Sequence, residues 1–147
     1  MIEVKLHVST STLSIEGLTS HLGREPSRFT RRGDFTPAGP PRRWRWSYWE
    51  LDLHGEPGER FGLSGINRQL HELGVDFARR LGSIPDPDRG VGLEIVQAVE
   101  DDPDDVNTSN FIFSEESIQW LATARARIMI TQYLYPEKDN LELSGNN

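Results

Sequence analysis

The chain has 147 residues and a mass of 16.7 kDa, a length typical of one domain. It carries 16 basic and 23 acidic residues, which give a net charge of −7, and it contains no cysteine. Disulfides, thiolate metal sites and cysteine nucleophiles are therefore excluded. No window approaches the roughly 18 consecutive apolar residues of a membrane span, and no signal-peptide core opens the chain. We expect a cytoplasmic protein that does not enter the membrane.

Basic residues are concentrated in one segment. Residues 24–45 hold seven Arg against Glu25 and Asp34, whereas residues 100–105 are almost entirely acidic. An acidic surface repels phosphate backbones, which argues against general nucleic-acid affinity and favours a basic protein partner. A purely solubilising surface would have the same composition.

The first third of the chain predicts a strand and a helix. Residues 2–8 alternate between apolar and polar, as a half-buried strand requires. Ser14 is a good helix N-cap, and Gly23 stands where a C-terminal cap would be. The apolar residues of this helix fall on one stripe: Ile15, Leu18 and Leu22.

Residues 24–43 contain too many Pro and Gly residues for a regular element, so we predict a long, exposed, Arg-rich loop. Trp44, Trp46 and Tyr48 then alternate, after which the apolar phase shifts to begin at Trp49. This shift predicts a second strand with a bulge or a change of buried face near Tyr48. Trp49, together with one of Trp44 and Trp46, is expected in the core.

The remaining elements follow from periodicity. A stripe that includes Leu70 and Phe77 predicts one long helix ended by Gly82, with a kink or close contact at Gly74. Residues 91–99 and 128–135 read as strands. Residues 114–124 read as a helix, and residues 136–147 as a flexible tail. The inward residues predicted for the last helix are Ile118, Leu121 and Ala122.

The same apolar-Ser pair precedes both short helices. Leu13-Ser14 stands before Leu18, and Phe113-Ser114 stands at the same distance before Ile118. We therefore predict a single α+β domain over residues 1–135, ferredoxin-like, with two β-α-β halves joined by a helix. The sheet should have four to five strands in antiparallel or mixed order, with the helices mainly on one face. Leu18 and Ile118 should occupy equivalent buried positions.

Several short motifs resemble a bacterial family called domain of unknown function 4279. They are Leu22-Gly23, Pro26-Ser27, Arg32-Gly33-Asp34 and the strand centred on Trp49, followed by a C-terminal helix and strand. The resemblance covers most of residues 2–135. It implies a fold and a bacterial setting but no catalytic residues. Small acidic proteins of this kind resemble immunity proteins, which is an analogy at the level of class.

Motifs that carry chemistry are missing. His71-Glu72 begins like a zinc-protease helix, but position 75 is Val where the second His must stand. There is no phosphate-binding loop, nucleophile elbow or EF-hand spacing. We therefore predict no catalytic residues, no metal and no cofactor.

The strongest candidate for function combines arginine with tryptophan, the residue types that dominate protein interfaces. Its members are Arg28, Arg31, Arg32, Arg42, Arg43, Trp44 and Trp46. We predict a non-enzymatic protein-binding module, immunity-like or regulatory, and homo-oligomerisation is left open. The alternative is that segment 24–49 binds nucleic acid or an anionic small ligand. A third reading is that these residues only support the fold.

Overall fold

The computed structural model describes residues 2–53, 63–100 and 112–135. These residues form an α+β fold with one mixed sheet and helices packed on it. The strands are β1 (Ile2–Thr10), β2 (Arg28–Thr30), β3 (Ser47–Asp52), β4 (Gly90–Glu100) and β5 (Arg127–Tyr135). The helices are α1 (Ile15–Leu22), α2 (Leu63–Leu73), α3 (Val75–Gly82) and α4 (Glu115–Ala124).

The central strand of the sheet is β1, in the order β2-β3-β1-β4-β5. β1 runs antiparallel to both of its neighbours, β2 runs antiparallel to β3, and β4 and β5 are parallel. The α+β class and the mixed five-stranded sheet agree with the prediction. The two predicted halves differ, however, because β3 separates the strands before and after α1, β1 and β2, whereas α4 connects β4 and β5, which pair directly with each other. The ferredoxin-like assignment is therefore not confirmed.

One face of the sheet is buried under the helices. Side chains alternate between the two faces of a strand, and Val8 stands between Trp49 on β3 and Val91 on β4 on the inner face. The helices add their buried residues to the same cluster: Leu18, Leu22, Leu70, Phe77, Leu81, Trp120 and Leu121. The outer face is lined by polar residues of β1 and β3, and none of the described helices packs on it, so we call it the open face. This arrangement fits the prediction of helices mainly on one face.

The predicted caps of α1, Ser14 and Gly23, are confirmed. Two other glycines, Gly74 and Gly82, do more than end a helix. Gly74, with φ of 82°, divides the predicted long helix into α2 and α3. Gly82 is the last residue of α3, and a Cβ built there would lie 2.2 Å from the carbonyl oxygen of Thr123. Gly82 therefore lets α3 and α4 approach closely.

The predicted inward face of α4 is partly wrong. Ile118 is 56% exposed and Ala122 is also exposed, while Leu121 is buried as predicted. The indole Nε1–H of Trp120 donates to the Gly74 carbonyl at 2.9 Å, which turns Trp120 toward α3 and Ile118 toward solvent. The predicted equivalence of Ile118 with the fully buried Leu18 is therefore wrong as well.

A buried carboxylate joins the end of β1 to the loop before β4. Asp86 is 1% exposed, and one of its oxygens accepts from the Thr10 hydroxyl at 2.6 Å and from the Ser11 N–H at 3.0 Å. Its other oxygen accepts from the Asp88 N–H at 2.9 Å. The Thr10 hydrogen bond, aided by the backbone donors and opposed by burial, holds the pKa of Asp86 below its ordinary value. This contact fixes the end of the central strand from which the chain enters α1.

Candidate functional site

The segment predicted as an irregular loop, 24–43, contains β2 and part of a second antiparallel pairing. The Gly33 N–H donates to the Trp44 carbonyl, and the Trp44 N–H donates to the Asp34 carbonyl, both at 2.8 Å. Phe35 and Arg43 form an antiparallel bridge further out. We call residues 31–46 the arm. The prediction was wrong because most of the Pro and Gly residues lie between Thr36 and Arg42, at the tip, where they do not interrupt pairing.

Two of the predicted site residues attach the arm to the body of the fold. The guanidinium of Arg31 donates to the carboxylate of Glu16 on α1. That of Arg32 donates to the Ser11 carbonyl just beyond β1, while its backbone N–H donates to Ser47 Oγ at 3.1 Å. Arg31 and Arg32 therefore fix the base of the arm.

Exposed arginine and phenylalanine side chains stack in pairs on this side of the molecule. The guanidinium of Arg43 lies 4.3 Å from the ring centroid of Phe35, which is 60% exposed, and it also donates to the Gly33 carbonyl at 2.9 Å. The guanidinium of Arg31 lies 5.0 Å from the ring of Phe29, which is 51% exposed. Such cation–π contacts hold a charged and an apolar group together at one surface position.

The predicted tryptophans divide between core and surface. Trp49 is fully buried, as predicted, whereas Trp44 and Trp46 are both half-buried and outside the core cluster, contrary to expectation. The reason is that β3 begins at Ser47, so Trp44 and Trp46 belong to the arm and the change of phase needs no bulge. Burial then alternates regularly along β3.

A groove of about 660 Å³ lies on the open face where the arm meets the sheet. Trp44 packs edge-on against Tyr48 there, with ring centroids 5.3 Å apart. The other residues that line it are Pro26, Ser27, Arg28, Phe29, Thr30 and Glu50. Three of its lining residues are therefore aromatic and two are charged.

The charges around this groove are largely paired within the protein. Arg28 lies 2.8 Å from the carboxylate of Asp52 and 3.4 Å from that of Glu50. Lys5 stands between Glu50 at 3.9 Å and Glu94 at 3.4 Å. The predicted site residue Arg28 is thus neutralised by neighbouring acids, which makes the groove a poor receptor for an anion.

A histidine at the centre of the open face has one shielded ring nitrogen. His7 pairs with Gly92, where a built Cβ would lie 2.4 Å from Nε2 of the ring. That nitrogen is buried and has no hydrogen-bond partner among the described residues. Burial lowers the pKa of His7, opposed by the charges of Glu94 and Glu50. The imidazole is therefore neutral near pH 7.

Three aromatic residues of the site were missed by the sequence reasoning: Phe29, Phe35 and Tyr48. A usable signal was present for Phe35, because Phe35-Thr36 and Arg42-Arg43 flank a Pro/Gly cluster in the manner of a hairpin. Arg42 is exposed, as the loop prediction required, and Arg45 is exposed as well. The acidic residues 101–105 and the predicted tail 136–147 lie outside the described residues.

No family model, curated protein or solved structure matches the chain. The resemblance to the domain of unknown function 4279 family therefore remains a prediction from short motifs. Within the described ranges, no three His, Asp or Glu side chains converge in a way that could hold a metal ion. None of the helices in those ranges combines the length and hydropathy needed to cross a bilayer.

Proposed function

We propose that this protein is a non-enzymatic protein-binding module whose partner contacts the arm and the adjoining groove. The observation that carries the proposal is the exposed Arg43–Phe35 pair. Phe35 is 60% exposed, lies in a paired segment outside the core cluster, and is stacked under a guanidinium. Covering a large apolar side chain is worth about 1.5–3 kcal/mol, and Arg and aromatic residues dominate interface hot spots.

The charge of the arm indicates the chemistry of the partner. Arg42, Arg43 and Arg45 are exposed, and Asp34 is the one acidic residue in the arm. Guanidinium groups pair bidentately with carboxylates, so the partner should present an acidic segment with an apolar residue that covers Phe35. Because the whole chain carries a net charge of −7, that acidic segment should be local and the rest of the partner's surface neutral or basic.

Nucleic acid and anionic small ligands are weaker candidates for the same surface. Exposed Arg–aromatic pairs could stack on bases. However, Arg28, Arg31 and Arg32 are engaged within the protein, and Glu50 lines the groove. An immunity-like or regulatory role in the bacterial cytoplasm belongs to the same proposal, and the sequence motifs quoted above support it.

The test compares two variants that carry the same change of charge. Arg42→Glu with Arg43→Glu alters the arm, whereas Arg79→Glu with Arg125→Glu alters exposed positions on α3 and after α4. Each pair of reversals lowers the net charge by the same amount. We expect wild type and the second variant to capture the same proteins from a lysate of the source organism, and the arm variant to lose at least one of them.

Equal capture by all three proteins would contradict the proposal. A captured protein lost by both variants would indicate general electrostatics and would also contradict it. Binding of a single-stranded oligonucleotide that is abolished only by the arm variant would favour the nucleic-acid alternative.

A further inference from the structure

We propose that β5 pairs with β5 of a second copy of this chain, so that two sheets join edge to edge in a symmetric dimer. In the described part of the chain, β5 forms the edge of the sheet opposite β2 and the arm. The proposal therefore concerns a different surface from the one assigned to the partner above.

Both faces of β5 expose large apolar side chains. The exposed fractions are 43% for Ile128, 38% for Met129, 50% for Ile130 and 55% for Tyr133. Ile128 and Ile130 pair with Leu93 and Ile95, which lie in the core, so they project on the side of the sheet that carries the helices. The helices do not cover this last strand. Met129 and Tyr133 project on the open side, because consecutive side chains alternate.

The sequence of β5 lacks the residues that usually protect an edge. Natural edge strands are kept short or carry Lys, Pro or charges that block pairing with another chain. Residues 127–135 contain no Pro, Lys or acidic residue, and their single charge is Arg127 at the first position. The opposite edge, β2, is three residues long and carries Arg28. Of the two sheet edges in the described part of the chain, β5 alone is long, apolar and without such protective residues.

Symmetry and the composition of β5 point to a second copy as the occupant. A two-fold axis perpendicular to the sheet pairs β5 antiparallel with itself and places the row of Ile128 and Ile130 beside the same row of the other copy. Residues 127–135 contain no acidic residue, and their single charge lies at one end, so two antiparallel β5 strands can pair without like charges opposite each other. The net charge of −7 on each copy opposes the contact. Residues 136–147 contain no β-branched or aromatic residue, so their sequence does not favour a strand that would cover β5.

The size of the contact predicts a weak dimer. Nine residues in a strand span about 30 Å, and a sheet is about 10 Å thick, so roughly 300–400 Å² would be buried per copy. A standard stable interface buries about 800 Å² per partner. We therefore expect dissociation in the micromolar range, tightened by salt because screening weakens the repulsion between acidic copies.

The experiment measures mass against concentration by sedimentation or light scattering. Wild type should change from the 16.7 kDa monomer to a dimer between about 1 µM and 1 mM. Ile130→Lys, at a half-exposed position on β5, should raise the dissociation constant at least tenfold. Phe35→Lys is the matched control, since it puts the same charge at a similarly exposed position on the arm and should leave the dimer unchanged.

Hydrogen exchange of wild type is the second measurement and does not depend on any variant folding. Residues 127–135 should lose deuterium uptake as the concentration rises, while the arm should not. A wild type that stays monomeric at every concentration would overturn the proposal, as would a dimer that Ile130→Lys leaves intact. Because Ile130→Lys should still capture the arm's partner, failure of the dimer and failure of the proposed function are distinguishable.

Discussion

Replacing Asp86 with Asn should lower the free energy of unfolding by about 2–3 kcal/mol near pH 7. The wild-type carboxylate accepts hydrogen bonds from Thr10, Ser11 and Asp88 while 1% exposed. The side-chain amide of Asn has only one accepting oxygen, so its NH₂ group would face one of these hydrogen-bond donors. Each hydrogen bond to a charged group contributes about 1.5–3 kcal/mol, and a buried donor left unpaired costs a comparable amount.

The effect should depend on pH in a defined direction. The Thr10 hydrogen bond holds the pKa of Asp86 below the value of 3.8 expected for the unfolded chain. A carboxylate with a lowered pKa stabilises the fold fully above the unfolded pKa, and that stabilisation is lost as pH falls through the folded pKa. The difference between wild type and Asp86→Asn should be the same near pH 7 and pH 5 and should shrink below about pH 3.8.

Urea unfolding followed by tryptophan fluorescence measures this difference at each pH. Asp88→Asn is the matched control, because Asp88 is an exposed carboxylate in the same loop and should change stability by less than about 0.5 kcal/mol. A loss of under about 0.5 kcal/mol in Asp86→Asn would refute the role assigned to this carboxylate. A loss that stays constant down to pH 3 would refute the electrostatic part of the reasoning.

Three further changes test the packing. Trp49→Ala should lower the free energy of unfolding by about 3–5 kcal/mol, because Trp49 is fully buried. Trp49→Phe should cost less than half as much, since Nε1 of Trp49 has no hydrogen-bond partner among the described residues. Thermal melts that show equal losses for the two variants would contradict this. Gly82→Ala should cost about 2 kcal/mol or more in urea unfolding, because its Cβ would meet the Thr123 carbonyl, and a neutral result would show that the helices can separate freely. Gly92→Ala should lower the free energy of unfolding by about 1–3 kcal/mol, because its Cβ would meet the His7 ring. Most of that loss should disappear when His7 is also replaced by Ala. Additive losses in the double-mutant cycle would argue against this contact between position 92 and His7.

Local patterns predicted most of the elements because each depends on residues close together in the chain. The caps at Ser14 and Gly23 and the break at Gly74 follow from the backbone needs of single residues. The burial of Trp49 follows from strand alternation. The α+β class follows from the order of these elements.

The errors arose where a distant contact decides the outcome. The inward face of α4 depends on the bond from Trp120 to Gly74, and the pairing order of the strands depends on the whole sheet. The arm was predicted as a loop because its Pro and Gly residues were counted without regard to their position at the tip. Asp86 carried no sequence signal at all, since its partner Thr10 lies 76 residues away.

The sequence indicated the residue types of the candidate site but not their arrangement. Sequence alone could not show that Arg31 and Arg32 bond to the body while Arg43 stacks on Phe35. Which guanidinium groups bond to the body is decided by contacts between residues that are distant in the sequence. The structure therefore narrows the residues to be tested from the seven predicted ones to Arg42 and Arg43 on the arm.

The most direct measurement of the central claim places a photoreactive amino acid at position 42 of the arm, and separately at position 79 on α3, and exposes each protein to light in a lysate of the source organism. Both positions are exposed arginines in the native chain. If the arm binds a partner, position 42 should give a discrete cross-linked adduct that excess unlabelled wild type suppresses, and position 79 should not. Absence of an adduct at position 42, or the same adduct from both positions, would contradict the assignment of the arm as the binding surface.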